Sequence, residues 1–178
     1  MIPTEEQAKA LWEKYNVPEQ KRVHLALVAR VAKFLASKIN QPMNLPLLLA
    51  AALLHDIDKN VPRFAGERHP DTAVRILKEE GMEEVAEVVK THPLHAILDQ
   101  TIAPKTLEEK ILYLSDKMTK YDIVGVDGRY ALWRSENLPP DAVAILDATY
   151  PKVKLLEKEM FSLTGIAAEE VSTLALNS

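Results

Sequence analysis

Along most of the chain, apolar residues recur every three or four positions, the period of helices packed on one side. Thr4 and Gln7 form a capping box that predicts a helix to about Tyr15. Pro18 suits the first position of a second helix, running to about Ile39, with Val23, Leu27, Val31, Phe34 and Leu35 on one stripe. Leu45 to about Ile57 is apolar nearly all round. This predicts a central buried helix with Leu49, Ala52 and Leu53 poorly accessible. It runs into His55-Asp56-Ile57-Asp58-Lys59, and Pro62 and Gly66 then mark a loop. His69-Pro70 fits a helix start, with the helix reaching about Glu80 before Gly81 stops it. The next helix spans about Glu83 to Thr91 and ends at His92-Pro93. Thr106 and Glu109 form a second capping box, opening a helix to about Tyr121 that carries Asp116 on the face of Leu112 and Tyr113. GVDGR reads as a glycine-containing loop, in which GVDG is a tight turn or something more. Pro139-Pro140-Asp141 starts a long helical stretch that Pro151 should break or kink, and a short helix near Ala167 to Leu174 ends the pattern. No strand alternation, repeat or linker stands out. The expectation is one all-α domain over residues 1–178, a bundle of about six to eight helices.

Composition narrows the chemistry. Twenty-two basic residues stand against 26 acidic ones, with no basic stripe, which argues against sequence-independent nucleic-acid binding. A small anionic substrate remains compatible, because local cations or metal ions outweigh a weak global field. There is no cysteine, which excludes disulfides, thiolate zinc sites, iron–sulfur clusters and a cysteine nucleophile. Any metal must therefore be held by nitrogen and oxygen. The longest apolar run, Leu45 to Leu54, falls well short of the ~20 residues that span a bilayer. The N-terminal segment lacks the apolar core of a signal peptide, and the expected setting is cytoplasmic, without membrane contact.

The histidines carry the remaining signal. All five (His24, His55, His69, His92 and His95) lie in the first 95 residues. Four of them fall near predicted element ends or beside a core-facing stripe. A carboxylate at the end of an apolar helix is costly unless it is paired. Lys59 or an arginine is one partner for Asp56 or Asp58; a metal ion is the other. At a helix end His55 and Asp56 can turn toward one ion, or Asp56 can lie between two. Asp116 adds a carboxylate inside ILYLSD. Mixed imidazole–carboxylate shells suit manganese, iron, cobalt, nickel or magnesium.

The order His … His-Asp … Asp resembles the HD superfamily of metal-dependent phosphohydrolases. RVHLALVARVAKFLA is similar to its first-histidine helix, ALLHDIDK to its signature helix, and EKILYLSDKM to the segment with the distal aspartate. Asp58 departs from the HDIGK variant, which has glycine there. HPDTAVRIL and EVVKTHP resemble the additional motifs of binuclear members, and the whole is similar in outline to bacterial symmetrical diadenosine tetraphosphate hydrolases. The resemblance implies that His24, His55, Asp56 and Asp116 hold one divalent ion, and that Asp56 bridges to a second held by His69 and His92. His95 is the alternative to His92. Iron is the first choice of metal. Asp56 and Lys59 would be catalytic, and Lys59, Arg63 and Arg129 would bind the substrate, a small phosphorylated molecule such as a nucleotide or dinucleotide. Lys59 follows His55 by four residues and can reach the same site; its plainer role is a salt bridge with Asp58 or Glu67. A homodimer stays open. Two other classes compete: a non-catalytic metal-binding signalling module, and a di-iron oxygenase on the same fold.

Overall fold

The computed structural model describes residues 1–176, with side chains through Thr173; the last two positions of the expected domain lie outside the described residues. Among the described residues there are nine α-helices and no strand. They are α1 (Glu5–Lys14), α2 (Glu19–Lys38), α3 (Leu45–Leu54), α4 (Asp71–Glu79), α5 (Glu83–Lys90), α6 (Leu107–Lys117), α7 (Gly125–Ser135), α8 (Pro140–Thr164) and α9 (Val171–Leu176). Short 3-10 turns cover Leu94–Leu98 and Ala168–Glu170. The only pairing of strand type among these residues is an isolated bridge between Thr119 and Ile123. No helix among them is long and apolar enough to cross a membrane.

Both capping boxes form. The Thr4 and Thr106 hydroxyls accept from the backbone N–H of Gln7 and Glu109, whose side chains accept in return from the threonine N–H groups. The apolar helix α3 lies at the centre, packed against α1, α2, α5 and α6. Leu48 and the stretch from Ala50 to Leu54 are buried, each leucine contributing about 1.5–3 kcal/mol of burial. Leu49 is a correction. It is only half-buried, because it faces a surface groove shared with Val23, Leu27 and Phe34 of α2.

Several boundaries differ from the sequence expectation. Pro18 stands just outside α2 as its N-cap. Helix α3 stops at Leu54, three residues before Ile57. Beyond it the Ile57 N–H reaches the Leu54 carbonyl and the His55 ring reaches that of Ala52, so the chain tightens into turns. The indole N–H of Trp12 donates to the Leu53 carbonyl at 2.7 Å, which docks α1 onto the end of α3. Helix α6 ends at Lys117 instead of Tyr121. The Val124 and Gly125 N–H groups both reach the Met118 carbonyl, at 2.9 and 3.1 Å, and close a loop between α6 and α7. GVDGR is not a loop but the start of α7, with Gly125 at φ +70° turning the chain into the helix. Helix α8 runs unbroken through Pro151. The proline lies on the exposed side, as does Asp147, whose carbonyl loses the N–H partner.

Candidate metal centre

The site forms where α2, α3, α5 and α6 meet. His24 lies in the N-terminal part of α2, His55 just past α3, His92 just past α5, and Asp116 in the last turn of α6. Three of the rings are anchored alike. His24 Nδ1 lies 2.9 Å from the Lys120 carbonyl, His55 Nδ1 2.9 Å from that of Ala52, and His92 Nδ1 2.6 Å from that of Val89. A carbonyl has no proton to give, so Nδ1–H is the donor in each case. In the neutral rings Nε2 then carries the lone pair, and all three Nε2 atoms turn inward. For His55 and His92 the bond runs back three residues onto the last turn of their own helix, so one hydrogen bond both caps the helix and aims the ligand.

The Nε2 atoms of His24 and His55 stand 3.3 Å apart, and those of His69 and His92 3.0 Å apart. His24 and His55 both donate through Nδ1, so their facing neutral Nε2 lone pairs repel unless a proton or another positive charge lies between them, whereas a His69 Nε2–H can donate to His92. Asp116 Oδ1 is 3.1 Å from His24 Nε2 and 3.5 Å from His55 Nε2. Asp56 Oδ1 is 3.9 Å from the Nε2 atoms of both His69 and His92. The donors of His24, His55 and Asp56 lie within 4.8 Å of one another, as do those of Asp56, His69 and His92, so Asp56 is common to both groups. Buried nitrogen and carboxylate donors without sulfur fit a divalent ion of borderline hardness.

The electrostatics agree. Burial raises the cost of a charge on Asp56, but His55, Lys59, His92 and Lys21 outweigh it and hold its pKa far below the carboxylate range. Asp116 is likewise pulled down against burial, by Lys117, His24 and His55. Burial opposes charge on both His55 and His92. At His55 the hydrogen bond to Asp116 and the fields of Asp56 and Asp116 win, and the pKa rises. At His92 burial is joined by repulsion from His55 and His69, and the pKa falls well below the usual imidazole value.

Among the remaining sequence candidates, Lys59 pairs with Asp56 Oδ1 at 2.8 Å. Arg129 lies half-buried on α7, with its guanidinium 4.3 Å from the Trp133 ring centre and within the electrostatic reach of Asp116 and Asp56. Arg63 is exposed on the loop after α3. His95 is exposed on the 3-10 turn and belongs to neither donor group; burial, and then repulsion from His69 and Lys117, lowers its pKa.

Two residues, Lys21 and Lys117, escaped the sequence reading, and a third, Asp58, figured there only as an ion-pair partner of a lysine or arginine. Lys21 pairs with Asp56 Oδ2 at 3.2 Å. The buried Lys117 pairs with Asp116 Oδ2 and donates to the His92 carbonyl at 2.7 Å, leaving Asp116 Oδ1 to face the histidines. Asp58, also buried, stands 3.6 Å from His69 Nδ1. Lys21 lies one helical turn before His24, which is the one spacing signal the sequence offered; nothing local marks the other two.

Helices that surround a shared His/Asp cluster define a class of protein whose buried side chains could hold a metal ion. The HD domain family model matches residues 23–121, more than half of the chain, and the chain belongs to that family. Neither the curated proteins nor the solved structures contain a match.

Proposed function

We propose that this chain is a metal-dependent phosphohydrolase that uses two divalent ions to cleave a phosphoester or phosphoanhydride of a nucleotide or dinucleotide. The observation that carries the reading is the position of Asp56, common to two groups of histidine donors within 4.8 Å. His24, His55, Asp56 and Asp116 would hold one ion, and Asp56, His69 and His92 the other. Iron is the first candidate, with manganese, magnesium, cobalt and nickel behind it. Such ions, when bound, make water a nucleophile near neutral pH and neutralise phosphate charge.

The protein's own groups then have separate tasks. The backbone carbonyls of Lys120, Ala52 and Val89 hold three rings in one tautomer, so no reorientation accompanies the reaction. Lys117 fixes the orientation of Asp116. Lys59, with its ammonium group beside Asp56, is placed to hold phosphoryl oxygens as negative charge grows on them. A cytoplasmic setting and a small phosphorylated partner go with this reading. The test is metal analysis of the purified protein, followed by a screen of nucleotides, dinucleotides and cyclic nucleotides with that metal. Phosphate release without any oxygen requirement supports the proposal. Full metal occupancy with no phosphoester turned over would point to a binding module, and oxygen-dependent turnover to an oxygenase.

A further inference from the structure

We propose that Asp58 is a positioning residue for His69: its carboxylate accepts the Nδ1 proton of that ring and so holds Nε2 in the form that can ligate the second ion beside Asp56 and His92. The inference rests on the two-ion part of the reading above and not on the reaction assigned to it.

Two unsatisfied groups face each other here. His69 Nδ1 is buried and meets no hydrogen-bond partner, and Asp58 Oδ1 is buried and meets none either. Asp58 Oδ2 stands 3.6 Å from His69 Nδ1. The Asp58 side chain is only 3% exposed, and a carboxylate so far out of water is costly without a donor. The two lysines beside Asp56 are committed elsewhere: Lys59 pairs with Asp56 Oδ1 and Lys21 with Asp56 Oδ2. Among the described residues, His69 is the one ion-pair partner that reaches Asp58.

The other three rings show what His69 lacks. His24, His55 and His92 each donate Nδ1–H to a backbone carbonyl. His69 lies on the loop before α4 and has no such carbonyl. A carboxylate in that place accepts the same proton with a full negative charge, which makes a stronger bond and a more basic ligand.

Proton positions account for the length of the gap, which exceeds an ordinary N–H···O bond. His92 carries its proton on Nδ1, so its Nε2 is an acceptor, and His69 Nε2, 3.0 Å away, is the donor of that pair. A neutral His69 then turns the Nδ1 lone pair toward the carboxylate. Ligation through Nε2 requires the opposite form. The proton leaves Nε2 to water, water returns one to Nδ1, and lone-pair repulsion becomes an N–H···O attraction. The His69 side chain is 29% exposed, so water reaches the ring, and a shift of under about 1 Å closes the bond. Asp58 therefore favours the tautomer that ligates.

The experiment compares wild type with D58A, D58N and H69Q, uses zinc(II) as a diamagnetic probe and needs no substrate. Chelator competition measures the retention of each ion. Proton–nitrogen NMR of ring-labelled histidine locates the His69 proton, with the signals assigned by their loss in H69Q. Zinc-loaded wild type should hold two ions and carry the His69 proton on Nδ1, shifted downfield and slow to exchange. D58A should weaken retention of the ion that H69Q loses by about tenfold to a hundredfold, and leave the other within about twofold. It should also lose the downfield shift. D58N, which keeps an acceptor oxygen and loses the charge, should fall between wild type and D58A. Unchanged retention, equal weakening of both ions, or a His69 proton signal that D58A leaves in place would overturn the role. If D58A does not fold, D58N decides by the same two readouts. A wild type that takes up one ion overturns this role together with the two-ion reading. Two ions, a selective effect at Asp58 and no phosphoester turned over would remove the hydrolase reading alone.

Discussion

The two histidine pairs of the cluster are built in different ways. His24 sits on α2 and His55 at the C-cap of α3, with side chains only 4% and 0% exposed, and both Nδ1 atoms are tied to backbone carbonyls. Asp116 closes this half, held from behind by Lys117. The His69–His92 half is mixed. His92 is as deeply buried and as firmly tied as the first pair, but His69 is 29% exposed, precedes α4 on a loop, and its Nδ1 makes no hydrogen bond. Its nearest carboxylate, Asp58, is 3.6 Å away. One half of the centre is thus positioned by helix packing. The other depends on how well a loop is held. Preorganised donors bind with less ordering cost, so the first half should retain its ion more tightly.

The largest effect should come from the residue that the halves share. Asp56→Ala removes a donor from both groups and leaves Lys21 and Lys59 without their common partner. Metal content should drop at both positions, and turnover should fall further than for any single histidine-to-alanine change. Metal analysis beside steady-state rates checks this; a loss no greater than that of His69→Ala would contradict the bridging role. The next effect separates the halves. The His69→Ala/His92→Ala double variant should retain one ion per chain. If instead it loses both, the halves are one cooperative unit and the contrast drawn from their anchoring fails.

Lys59 comes next. Lys59→Ala should leave metal content nearly intact while lowering turnover by about 10²–10³, the scale for removing one preorganised electrostatic donor. The contrast with Asp56 is the point, because the two side chains touch at 2.8 Å. A fall in metal content along with activity would make Lys59 part of the frame.

How far the sequence revealed this follows the range of the interactions. Capping boxes act within one turn, and both stood as written at Thr4 and Thr106. The all-round apolar α3 pointed to the centre of the bundle, and its HD terminus to the family. The end of α6 and the start of α7 were misplaced, because a pair of bonds to the Met118 carbonyl, closed only in three dimensions, decides them. GVDG looks like a turn locally, yet packing of Val126 and Tyr130 into the core makes it the first turn of a helix. The gathering of His24, His55, Asp56, His69, His92 and Asp116 was legible through motif order. The roles of Lys117 and Asp58 were not, since each depends on which way a buried side chain turns.

The smallest effect tests the strap that holds the weaker half. Glu67, two residues before His69, accepts from Arg75 Nε at 2.6 Å, from the Phe64 N–H at 2.8 Å and from the Thr72 hydroxyl at 2.8 Å. Arg75 in turn lies 3.8 Å from the Phe64 ring centre, so both ends of the loop are clasped to α4. The Arg75 hydrogen bond, with those from Phe64 and Thr72, lowers the Glu67 pKa from 4.5 to about 2. A carboxylate with a depressed folded-state pKa stabilises the fold fully above its unfolded value and loses that contribution as pH falls through the folded value. The stability difference between wild type and Glu67→Gln should therefore be constant above pH 4.5 and shrink as pH falls toward about 2. Denaturant midpoints of the two proteins across that range measure it. At neutral pH, Glu67→Gln should also weaken retention of the His69–His92 ion more than that of the His24–His55 ion, which competition with a chelator reads directly. Equal weakening of both, or none, would mean that the loop is held by α4 packing alone and that the two halves differ less than their anchoring implies.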